Sequence, residues 1–246
     1  MLETILFDLG DTLLHFGRTD LEATFRKGVN SAYEYVKGLG QPVPSLARYY
    51  RMHRWLIRVC VLYSRFRHRD FNALNALTWG AKRLGQELTP EQIDELCWCY
   101  YHHLADQARI EPKVADSLDE LRAKGLKLGI ISNTMIPGSS LDRHLAQCGL
   151  LEFFPMRIYS CEQGIRKPHR DIFRIALDRL GVRPEAAMYV GDRGWHDVFG
   201  ANRVGLISVL IHNEVQNRWW GHLFRPRHTI ESIADLVPLV DRIPGR

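Results

Sequence analysis

Four short apolar runs, rich in β-branched residues, most constrain what this chain can fold into. They are Thr4–Phe7, 126–131, 187–190 and 206–211, with a weaker one at 157–160. Each is too short for a stable helix, and each lacks the polar alternation of a strand with one wet face. Such runs fit strands buried on both faces. Helical periodicity separates the later ones, over 114–124, 141–148, 171–180 and 197–203. Strands alternating with helices predict a parallel sheet with right-handed crossovers. The expected fold class is α/β, with a Rossmann-like parallel sheet as the core.

The stretch from about Arg18 to Ile110 reads differently. It shows helical periodicity and no convincing strand. Leu21, Phe25, Val29, Tyr33 and Val36 recur at three- and four-residue steps, the spacing of one helix face. A second helix is expected from about Ser45 and a third from about Asp70. A fourth opens at Thr89-Pro90-Glu91-Gln92, with Thr89 as N-cap, Pro90 at the first helical position and Gln92 completing a capping box. The expected division is an α/β core domain of residues 1–16 and 111–246 and an inserted all-helical domain of residues 17–110. The breaks fall near Gly17 and near Glu111-Pro112.

Composition narrows the function classes. With 246 residues, 46% of them hydrophobic, the chain can bury a substantial core. A net charge of +5 permits acidic partners without demanding nucleic acid. The five cysteines, with no C-x-x-C pair, read as reduced thiols of a cytoplasmic protein. Cys97 and Cys99, two apart on a helix, point in different directions and suit packing better than metal binding. Neither a secretory leader nor a membrane span is expected. The start runs straight into Asp8, and the apolar run at 56–63 is broken by Arg58.

In open parallel sheets, ligands bind beyond the carboxyl ends of the strands. After the first strand comes Asp8-Leu9-Gly10-Asp11-Thr12. After the second comes Ser132-Asn133-Thr134. After the strand at 187–190 comes Gly191-Asp192-Arg193-Gly194-Trp195-His196-Asp197, and Arg166-Lys167-Pro168 precedes a helix. Carboxylates, a hydroxyl and a lysine suit phosphoryl transfer. An aspartate can attack phosphorus, and a hard divalent cation held by carboxylates relieves the repulsion between two anions. A hydroxyl and an ammonium group can hold the phosphoryl oxygens.

In this order, the four motifs resemble those of the haloacid dehalogenase-like hydrolases, in the branch with a helical cap after the first motif. Asp8-Leu9-Gly10-Asp11-Thr12-Leu13 stands for D-x-D-G-T-[LV]; Ile130-Ile131-Ser132-Asn133 for the strand ending in Ser or Thr; Lys167-Pro168 for the lysine; and Gly191-Asp192 to Asp197 for G-D-x-x-x-x-D. The resemblance implies a Mg²⁺-dependent phosphatase working through an aspartyl-phosphate. It makes Asp8 the nucleophile and a metal ligand, with Gly10 (through its carbonyl), Asp192 and Asp197 completing the metal site. Ser132 and Lys167 would act on the phosphoryl group, with Thr12 and Asn133 shaping its pocket. A small phosphorylated substrate is implied, with no membrane or nucleic-acid partner, in a monomer or homodimer.

One position departs from the pattern. The residue two after the nucleophile usually protonates the leaving group, and here it is Gly10, with Asp11 where glycine is usual. Asp11, a water or His15 could replace that acid. The departure keeps two rivals open: a 2-haloacid dehalogenase-type enzyme, which needs no metal, and a phosphate-binding protein of little or no activity. Residues 35–69 hold no Asp or Glu, and Arg51, Arg58 and Arg65 recur every seven with Arg54 on the same face. This stripe reads either as a solvated helix face or as a site for a second anionic group of the substrate. His53, His102 and His103 read as structural, and His196 as a residue of the site's entrance. In the final connection, Asn217 to Arg227, the aromatic residues Trp219, Trp220 and Phe224 are expected to pack the loop onto its own domain.

Overall fold

The computed structural model describes residues 1–67, 70–212 and 223–243, with the side chains of residues 65–67 left out. Six parallel strands form one sheet: β1 (Thr4–Phe7), β2 (Lys127–Ser132), β3 (Met156–Tyr159), β4 (Ala187–Gly191), β5 (Ile207–Ile211) and β6 (His228–Ile230), in the order β3-β2-β1-β4-β5-β6. β1 is central. Phe7 is in register with Ile130 on one side and Val190 on the other. Every residue of β1, β4 and β5 is buried, as their mostly apolar sequences require.

Four helices lie between β1 and the rest of the sheet: α1 (Leu21–Gly38), α2 (Leu46–Arg67), α3 (Ala73–Arg83) and α4 (Pro90–Ala105). Asp20 caps α1, its side chain accepting from the amides of Glu22 and Ala23. The capping box of Thr89 and Gln92 forms as the sequence predicts, with Pro90 in the first turn. The third helix starts at Ala73, three residues later than expected, because the Asn72 side chain accepts from Leu74 N and fixes the start there. Val29, Val36, Tyr49, Leu77 and Leu96 form a core of their own among these helices. α1 crosses α4 so closely that a Cβ on Gly28 would stand 2.7 Å from Tyr100 O. Toward its end α4 turns Trp98, Tyr101 and Ala105 into the core beside the sheet. The two chain segments that connect these helices to the sheet run side by side, His15 and Arg109 exchanging both backbone hydrogen bonds at 2.8 Å.

Around the sheet pack α5 (Val114–Ala123), α6 (Gly138–Gln147), α7 (Ser160–Gln163), α8 (Arg170–Leu180), α9 (Gly200–Asn202) and α10 (Leu236–Asp241). The expected helix over 197–203 is instead a wide π-turn, Gly194–Phe199, running into the short α9. β6 has no counterpart in the sequence reading. Trp219 and Trp220 lie outside the described residues. Phe224 packs edge-on against Trp195 and Phe199, as expected of a loop aromatic on its own domain. No helix among the described residues is long and apolar enough to cross a membrane.

Candidate active site

The sheet order changes direction at β1, so a crevice opens beyond the carboxyl ends of β1, β2 and β4. Asp8 follows β1, Ser132 ends β2 and Asp192 follows β4. All three are buried, and Asp8 and Ser132 line one cavity of about 250 Å³ together with Asn133 and Lys167. Asp8 is anchored by its own amide, which donates to Val190 O at 2.8 Å.

Lys167 is the hub. Its side chain is 1% exposed, and its Nζ lies 2.8 Å from Asp8 Oδ1, 2.7 Å from Asp197 Oδ1 and 2.6 Å from Tyr189 Oη. The Tyr189 hydroxyl in turn donates to Ile131 O at 2.9 Å. The backbone of Lys167 is clamped by Asn133, whose Oδ1 accepts from Lys167 N at 2.8 Å and whose Nδ2 donates to Lys167 O at 3.0 Å. Asn133 therefore spends its amide on positioning the lysine. Burial lowers the affinity of the Lys167 ammonium for its proton, but Asp197 and Asp8 outweigh this and hold its pKa above the ordinary value. Burial also raises the Asp8 pKa, and Asp197 adds to the rise against the opposing pull of Lys167.

Asp197 reaches this centre because of the π-turn. The wider turn brings its carboxylate inward, where Oδ2 accepts from Arg193 N at 2.9 Å. Gly191 makes room for it: a Cβ there would stand 2.5 Å from Asp197 Cγ. Ligand atoms of Asp8, Asp192 and Asp197 all lie within 4.8 Å of one another, and all three residues are buried. An oxygen-only donor set of this kind fits a hard divalent cation. Cys97 and Cys99 belong to no such cluster among the described residues.

The first-motif turn explains the Gly10-Asp11 order. Asp11 takes the left-handed φ of 56°, a conformation that Asp tolerates better than most residues. Its amide donates to Leu14 O at 2.7 Å, and its Oδ1 accepts from Phe16 N at 3.3 Å, so the carboxylate closes its own loop. Gly10 needs no glycine conformation, and a Cβ there would meet only Phe16 Cε2, at 3.9 Å. Thr12 is fully buried beneath the turn, and its hydroxyl makes no hydrogen bond.

Sequence reasoning missed Tyr189, whose phenol faces Lys167 from inside an otherwise apolar strand. Arg193 and His196 also line the cavity, the latter as expected. Burial, together with the positive charges of Lys167 and Arg193, pushes the His196 pKa down to about 4 and keeps the ring neutral. Arg51 and Arg58 are exposed, while Arg54 lies 3.4 Å from Glu22, so the described part of the arginine stripe is largely a solvated helix face.

The family model described as haloacid dehalogenase-like hydrolase matches residues 2–205. The chain belongs to this family of hydrolases. Among its relatives is a glyceraldehyde 3-phosphate phosphatase of Methanopyrus kandleri, 31% identical over 211 residues that cover 86% of this chain and 84% of the relative. A phosphoserine phosphatase of Thermus thermophilus is 30% identical over 225 residues, covering 85% and 88%. Among solved structures, a 2-haloacid dehalogenase from Pseudomonas syringae pv. Tomato superposes with a TM-score of 0.66 at 24% identity, over 98% of this chain and 99% of that one. This last likeness shows the fold.

Proposed function

We propose that the chain is a Mg²⁺-dependent phosphohydrolase acting on a small phosphorylated metabolite through an aspartyl-phosphate on Asp8. The observation that carries this reading is the cluster of three buried carboxylates, Asp8, Asp192 and Asp197, the first and last of them bridged by Lys167. Phosphatases among the curated relatives support it. A dehalogenase needs an aspartate nucleophile but has no use for a site built to hold a cation.

Asp8, the Gly10 carbonyl, Asp192 and Asp197 would hold Mg²⁺, which when bound offsets the charge between the attacking carboxylate and the phosphate. Asp8 attacks phosphorus, the P–O bond to the alcohol breaks, and the phosphoryl group passes to the carboxylate. Lys167 favours the ionised form of Asp8, orients it through the 2.8 Å contact and neutralises an equatorial phosphoryl oxygen. Ser132 donates its hydroxyl to another. Water then attacks the phosphorus of the aspartyl-phosphate, and phosphate leaves with Asp8 restored. No side chain at Gly10 protonates the leaving alcohol, so turnover depends on how readily that alkoxide departs.

Residues 17–110 serve as a cap, with the paired segments at His15 and Arg109 as its two connections to the core. Five free cysteines fit a cytoplasmic location. The test is turnover of phosphate esters before and after EDTA. Loss with EDTA and recovery with Mg²⁺ are expected. Full turnover of phosphate esters in metal-free buffer would remove Mg²⁺ from this reading, and release of halide from 2-haloacids would replace it with the dehalogenase one.

A further inference from the structure

A second chamber of about 590 Å³ adjoins the site cavity and shares Tyr101, Leu104 and Ile136 with it. Its wall comes from all four inserted helices and from the loop after β2, and includes Phe25, Leu56, Ile57, Ala76, Leu77 and Met135. The volume is in the range of pockets that enclose a whole small ligand. The lining is mainly aliphatic and aromatic; Arg58 joins it from the exposed face of α2, and Tyr100 Oη and Arg54 Nε are buried there without a hydrogen bond. Arg54 is engaged by Glu22 at 3.4 Å, and Tyr50 Oη also donates to Glu22. At the threshold, the Asn133 amide is spent on the Lys167 backbone, and Thr134 Oγ1 accepts from Ile136 N at 2.9 Å. His53 is buried with its Nδ1 on Tyr49 O at 3.1 Å, and burial holds the ring neutral.

We propose that this chamber receives the alcohol moiety of the phosphate ester, and that the moiety is bulky and apolar, an alkyl chain or aromatic ring. The proposal rests on the phosphohydrolase reading of the adjoining site. A polyol placed here would exchange water for aliphatic walls and leave its hydroxyls unpaired. An apolar group instead gains burial with every carbon added until the chamber is full. The phosphate end stays at Asp8 and Lys167, and the shared residues mark the passage between the two spaces.

The test uses two homologous series on the full chain, from ethyl to octyl. n-Alkylphosphonates, which cannot be hydrolysed, report affinity by calorimetry, and n-alkyl phosphates report kcat/KM. The leaving alcohols differ little in basicity, so the missing acid at Gly10 does not bias the series. Both quantities should rise roughly threefold to fourfold per methylene. Ala76→Phe should end the rise at a shorter chain and Ile57→Ala at a longer one. If Ala76→Phe does not fold, Ile57→Ala carries the comparison. A flat affinity series overturns the proposal, as does a rise that neither variant alters. Steep affinity without turnover sinks the phosphatase reading and leaves the chamber standing. Turnover with flat affinity does the reverse.

Discussion

Lys167 Nζ stands 2.8 Å from Asp8 Oδ1 at the base of a cavity where neither side chain has much access to water. The same nitrogen is 2.7 Å from Asp197. Removing it with Lys167→Met leaves two buried carboxylates facing each other. The expected loss of stability is roughly 3–5 kcal/mol in the absence of metal. Because a cation among these carboxylates would replace the lost ammonium charge, added Mg²⁺ should raise the melting temperature of Lys167→Met more than that of the parent chain. Calorimetric melts with and without Mg²⁺ check this; equal shifts would show that the metal does not sit among these carboxylates.

Asp8→Asn should abolish turnover and leave the fold intact, since the amide is nearly isosteric but a very weak nucleophile. Beryllofluoride, a phosphoryl mimic, should label Asp8 in the parent chain and nothing in the variant. Mass spectrometry after trapping a turning-over substrate decides the site. Label on Asp11 would reassign the nucleophile.

Gly10 and Asp11 invite an exchange. The space at Gly10 accepts a side chain, and Asp11 holds the left-handed φ that glycine prefers. The double variant Gly10→Asp/Asp11→Gly should fold. Supplying a general acid is worth on the order of 10² to 10⁴ in rate. The gain should therefore be large for alkyl phosphates and small for nitrophenyl phosphate, whose phenolate leaves unaided. No gain on alkyl phosphates would mean that another group already delivers the proton, and equal gains on both would mean that the new carboxylate acts otherwise than as an acid.

His53 predicts a pH dependence of stability. Burial lowers its folded-state pKa from 6.5 to about 4. The unfolded chain binds a proton there between those values and the folded chain does not. Stability from this group is therefore complete above pH 6.5 and declines as the pH falls toward 4, by roughly 3 kcal/mol at most. His53→Phe, which can keep the ring packing on Tyr49, should flatten this slope in denaturant titrations at pH 4.5 and 7. An unchanged slope would place the effect in other groups.

Much of the architecture was legible because it follows from short-range rules. β1 is bounded where its apolar run ends, and α4 starts where Thr89, Pro90 and Gln92 say it should. The strand ends gave Asp8, Ser132 and Asp192 because ligands collect there in any parallel sheet. Other features depend on partners far along the chain. Tyr189 sits in an apolar run, and nothing in that run says its phenol meets Lys167 from 22 residues away. The residues from Asp197 onward carry a helical pattern, but the carboxylate bonds to Arg193 N and Lys167 and the turn widens around it. β6 is three residues long and exists through pairing with β5.

The place of β1 in the sheet has a consequence for the order in which the molecule comes together. Its residues are made before those of its two neighbours, β2 and β4, the latter ending at Gly191. Everything up to β4 must exist before Asp8 can be enclosed. The inserted helices, whose contacts are local, can form long before that, while the apolar first strand waits without a partner. A nascent chain halted short of β4 would hold the helices and no active centre, with Ile5, Leu6 and Phe7 offered to chaperones in the meantime.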